Sequence, residues 1–167
     1  MSLERVLRKK RSELILSGVG AILLGIWAFI KVILMILFAA DYVQRAFGFD
    51  SFDPEMKAAA LFPWILMGFG GMLLYLYVGT RAVREGRTGK RQRGYLVLAA
   101  VLLVVNVLLF IANLMAFSTS QPEPLDLIGE LLQGFARAAN FGAMLYAARQ
   151  TRKLSLNIEK EAVGHAN

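Results

Sequence analysis

The chain contains no cysteine and a single histidine, His165, the third residue from its end. Without thiols there is no disulfide, no thiolate nucleophile and no thiolate metal site. One histidine in a polar terminal stretch gives no basis for a zinc or haem centre. No cofactor is therefore expected. Charge is also scarce: Asp, Glu, Lys and Arg make up 19% of 167 residues, against roughly a quarter in a soluble domain. The chain has no GxSxG, HExxH or P-loop pattern. The segment EGRTGKRQR at 85–93 is basic and contains glycine, but it lacks the GKS or GKT ending and a preceding strand. It reads as a solvated cytoplasmic loop beside anionic lipid. These absences point away from an enzyme.

What is abundant is apolar residues, at 57% of the chain, and they are concentrated in runs. Residues 14–40 carry one charge, Lys31; residues 58–80 and 94–117 carry none. About 20 apolar residues of helix cross a hydrocarbon core of about 30 Å, at about 1.5 Å per residue. These runs are long enough, and they are apolar on every face, unlike a soluble amphipathic helix. The first is too long for the h-region of a signal peptide, and FAAD at 38–41 is a poor cleavage site. It is expected to remain as a transmembrane helix.

The net charge of +7 is distributed as membrane topology requires rather than as a nucleic-acid surface. No nucleic-acid partner is expected. Fifteen of the 19 basic residues lie in the N-terminal tail, in residues 81–93 and in the tail from Arg149. The loops at about 41–57 and 118–124 hold two. Basic residues mark the cytoplasmic side, so both termini are expected inside. That requires an even number of crossings, and residues 125–148 must supply the fourth. The expected architecture is an all-α integral membrane four-helix bundle. It comprises a basic cytoplasmic tail (1–13), a transmembrane domain (14–150; helices about 14–40, 58–80, 95–117 and 125–148) and a polar cytoplasmic tail (151–167). A cell membrane, in its bacterial inner or plasma form, is the expected location.

Local signals agree. Asp53 can cap a helix beginning at Pro54, Pro63 is expected to kink it, and Pro122 and Pro124 precede the fourth helix. Trp64 suits an outer membrane interface; Tyr75, Tyr77, Tyr95 and Tyr146 suit an inner one. Small residues recur every four positions at Ser17, Ala21 and Gly25, and again at Gly134, Ala138 and Gly142. Such ridges let helices approach closely. Gly68, Gly70 and Gly71 suggest packing or bending. The stretch LSLNIEKEAVGHAN reads as a frayed end.

The fourth segment is unusual. At 100° per residue, Asp126, Glu130, Gln133, Arg137 and Asn140 fall within an arc of roughly 80°. Lipid cannot satisfy such a stripe, so it must face other helices or water. Helix rise puts Glu130 roughly 8 Å below the outer surface and Lys31 at a similar depth, where they can pair. Asn106 falls near the midplane, and Asn113 lies seven residues beyond it on nearly the same face. The candidate intramembrane polar cluster is therefore Lys31, Asn106, Asn113, Glu130, Gln133, Arg137 and Asn140. Three uses compete: glue between helices, a polar pathway, and an interface. The functional expectation is a small accessory or subunit protein of a membrane complex. The alternative is a small oligomeric transporter or channel with its pathway along the fourth helix. The expected partners are the lipid bilayer and either another membrane protein or further copies of the chain.

Overall fold

The computed structural model describes residues 3–38, 54–119 and 124–164, which form four helices. These are α1 (Leu3–Phe38), α2 (Pro54–Thr88), α3 (Tyr95–Thr119) and α4 (Pro124–Gly164). α2 and α4 each open on a proline, where the missing N–H costs least. The capping carboxylate expected at Asp53 lies outside the described residues, as do Pro122 and His165. α2 runs on through Pro63.

Three stretches among the described residues are long and apolar enough to cross a membrane: Leu3–Leu37, Ile65–Thr88 and Tyr95–Ala112. α4 is not among them, because its polar stripe interrupts the apolar residues. It is nevertheless the longest helix, at 41 residues, or about 60 Å. The supposed frayed end is therefore helix as far as Gly164. Leu154, Ser155 and Ile158 are half-buried there, and that packing holds the turns beyond Arg149 in helical form. The basic N-terminal stretch is likewise helical from Leu3.

The chain divides into two compact units. The first comprises Met1–Ala21 and Val78–Asn167; the second is Ile22–Tyr77. Segments of all four helices meet in the first unit. Its core is built on Leu14, Val78, Tyr95, Phe141 and Met144, all fully buried. α1 and α2 approach there at Gly18, where an added Cβ would stand 2.8 Å from the Gly79 carbonyl oxygen. α3 and α4 meet where the Phe110 ring covers Gly134, 2.6 Å from its Cβ position.

Close steric approaches mark the second unit. The Cβ position of Gly25 lies 2.5 Å from Tyr75 Cβ, and Gly68 faces Val32. Phe29 and Phe69 meet edge to face, with centroids 5.7 Å apart, a favoured aromatic arrangement. The ridge of Ser17, Ala21 and Gly25 is buried along its whole length. The ridge on α4 is used in part: Gly134 is covered, whereas nothing stands within 4 Å of a Cβ on Gly142, Gly70 or Gly71.

Candidate functional site

Glu130, Gln133, Arg137 and Asn140 are all half-buried along one side of α4, while Ile128, Leu132 and Phe135 are exposed on the other. The amphipathic reading of α4 thus holds. Asn140 Nδ2 donates to the Ser17 backbone carbonyl of α1 at 3.1 Å. Its Oδ1 sits 2.6 Å from the Cβ position of Gly20, so a side chain there would collide with the amide. Asn106 of α3 is buried and donates to the Leu102 carbonyl of its own helix at 2.7 Å. That bond returns the amide to the preceding turn. Lys31 is half-buried on the part of α1 that belongs to the second unit, and Glu130 belongs to the first. Asn113 lies on α3, and its side chain is outside the described residues.

A second polar constellation lies at the α2–α3 turn. Residues 81–88 continue α2 as helix, and the turn proper spans 89–94. Gly89 closes α2 by donating its N–H to the Glu85 carbonyl at 2.9 Å. Its φ of +68° is left-handed, a conformation that glycine adopts without a Cβ penalty.

Glu85 is the one acid in a segment carrying six basic residues, and it is 2% exposed. Arg152 of α4 grips it with both arms of the guanidinium: Nε donates to Oε1 at 2.7 Å and Nη2 to Oε2 at 2.8 Å. The backbone N–H of Gln92 also donates to Oε2, at 2.7 Å. Arg152 Nη2 further reaches the Gln92 carbonyl at 2.6 Å, and Arg81 Nη1 holds Gln92 Oε1 at 2.7 Å. Three atoms of Gln92 are thus engaged, and the turn is fastened to α4. The Tyr95 ring underlies the Arg152 guanidinium at 6.0 Å, within cation–π range. The paired Glu85 carboxylate raises Arg152 above the ordinary guanidinium range, while burial opposes the shift.

These contacts correct two expectations. The segment 81–93 is not uniformly solvated. Arg84, Arg87, Lys90, Arg91 and Arg93 are exposed, but Glu85 is sealed inside. Tyr95, expected at a lipid interface, is fully buried in protein. The physical reason is the same in both cases. A carboxylate removed from water requires a bidentate cation, and the pair needs a surface to cover it.

The sequence held one signal of this clamp, a lone acid among bases, which charge counting treats as noise. A cavity of about 260 Å³ adjoins the clamp, lined in part by Arg11, Arg91, Thr151 and Arg152. On the α1 side, Lys10 pairs with Glu13 at 2.6 Å and lies over the Tyr146 ring at 4.9 Å. Among the described residues, no three His, Cys, Asp or Glu side chains gather as metal ligands would. Comparison with protein-family models, curated proteins and solved structures finds no match to this chain.

Proposed function

We propose that the protein is a non-enzymatic, four-pass integral membrane protein acting as an accessory or subunit protein of a membrane complex. In this reading the helices form a bundle in a cell membrane, and both termini are cytoplasmic. Three sufficiently apolar helices support embedding. The basic residues at the helix ends support the orientation. α4 is the fourth crossing: its first half spans the hydrocarbon, and the remaining turns extend into the cytoplasm as helix.

The observation that carries the accessory role is the division of labour on α4. Its polar side is tied to α1 through Asn140 and Ser17. Its opposite side presents Ile128, Leu132 and Phe135, between 52% and 66% exposed. A helix anchored inward by polar contacts and apolar outward can lie against lipid or a neighbouring membrane subunit.

Native mass spectrometry of the protein, extracted gently from its host membrane, tests this. A second polypeptide at fixed stoichiometry is the expected result. A homo-oligomer without other subunits moves the assignment to the alternative, a small transporter or channel with its pathway along Glu130, Gln133, Arg137 and Asn140. Liposome flux with Arg137→Gln would then decide the matter. A lone monomer overturns both readings.

A further inference from the structure

We propose that the cavity beside the Glu85–Arg152 clamp is a binding site for a phosphate group. It sits entirely within the first unit, between the start of α1, the end of α2 and the last turns of α4. At about 260 Å³ it is smaller than the pockets that hold drug-sized ligands or cofactors. It has room for several waters, a volume suited to a headgroup-sized anion.

Two observations indicate the chemistry. First, two residues that line this cavity, Arg11 and Thr151, each carry a buried donor, Nε and Oγ1, that has no acceptor among the described residues. Thr151 is 4% exposed, so its hydroxyl lies among protein groups. Buried donors left unpaired are costly, and several acceptor oxygens on one small group would satisfy both.

Second, the charge balance favours an anion. Glu85 is consumed by Arg152 and by the Gln92 N–H. That leaves Arg11 and Arg91 against Glu159 on the cavity lining, a net positive charge. Gly89 makes the arrangement possible, since a Cβ there would stand 2.6 Å from Arg11 Nη2. Guanidinium groups suit phosphate because their N–H forks match its oxygens. An anionic lipid headgroup and a soluble phosphate share this chemistry, and the test separates the two sources. The lipid source rests on the membrane reading above; the cavity chemistry does not.

The test uses the full chain in maltoside micelles, which contain no phosphate. Binding is titrated by calorimetry, with thermal stabilisation as a second readout. One arm adds inorganic phosphate, and the other adds short-chain phosphatidic acid doped into the micelles. The expected result is saturable binding in at least one arm, weakened tenfold or more by Thr151→Val and by Arg11→Gln. The exposed substitution Lys153→Gln should leave it unchanged. Tighter binding of phosphatidic acid identifies the lipid source; equal binding of inorganic phosphate identifies the soluble one. Thr151→Val removes only a hydroxyl, so it remains informative if Arg11→Gln fails to fold. The proposal is overturned if neither ligand binds, or if Thr151→Val binds as tightly as the unmodified protein. It is also overturned if Lys153→Gln weakens binding as much as the cavity variants do. Failure of the lipid arm alone counts against the membrane-side source and leaves the phosphate site standing.

Discussion

The two compact units solve the same problem, bringing helices into contact, with different chemistry. In Ile22–Tyr77 three close approaches are steric: a glycine beneath Tyr75, another facing Val32, and two phenylalanine rings edge to face. In the other unit similar close approaches occur at Gly18 and Gly134. There they are joined by a buried ion pair, an asparagine bond between helices and a turn pinned at three atoms. Steric contacts tolerate sliding as long as small residues remain opposite large ones. A bidentate ion pair has one geometry. The comparison teaches that the ion pair specifies register at the clamp, whereas a glycine contact sets how closely two helices approach.

The largest expected effect comes from breaking the clamp. Glu85→Ala leaves Arg152 without its carboxylate in a largely covered position, and should destabilise the protein by about 3–5 kcal/mol. Equilibrium unfolding in mixed micelles would measure it. Arg152→Lys should recover little of the loss, because one ammonium cannot span both carboxylate oxygens and the Gln92 carbonyl. If Glu85→Ala is as mild as a surface substitution, the contrast between the units fails.

The second unit has its own weak point. Gly25→Ala places a methyl against Tyr75 Cβ, an atom too close to the backbone to swing aside. The expected cost is about 1–3 kcal/mol, from overpacking. Gly70→Ala on the same helix as Tyr75 meets open space. It should be neutral or stabilising, by up to about 1 kcal/mol. Thermal unfolding of the two variants side by side would show whether shape governs this unit.

Asn140→Ala should cost less than Glu85→Ala or Gly25→Ala, about 0.6–2 kcal/mol, the range for polar contacts between membrane helices. A much larger loss would mean that the α4 stripe carries more of the register than the clamp does.

The smallest effect concerns pH. The folded-state pKa of Arg152 is raised, so its contribution is fully present below the ordinary arginine pKa. It is lost only as pH rises through the still higher folded value. Unfolding curves at about pH 7 and about pH 10 should therefore show no loss from this guanidinium.

Much of the architecture was legible from local pattern. Long runs of apolar residues mark the three stretches able to cross a membrane, and Pro54 and Pro124 mark two helix starts. The ridge of Ser17, Ala21 and Gly25 is buried as its spacing suggests. The candidate polar cluster was legible only as a stripe. Its arc on α4 is a property of helix geometry, but the partner of Asn140 lies 123 residues away. Gly18 and Gly89 were not singled out, because their importance lies in what stands opposite them.

Composition and periodicity by themselves determined that this chain is helical, mostly apolar and divided by charge into basic and poorly basic connections. Each of those properties is set within one turn or one run of the chain. Only the tertiary structure decided that Glu85 would choose Arg152, 67 residues away, from among many arginines and lysines. It alone decided that Tyr95 would cover the pair, and that Arg11 and Thr151 would share a cavity. Hydropathy is a sum over neighbours in sequence, whereas a buried ion pair depends on which distant side chains arrive together without water.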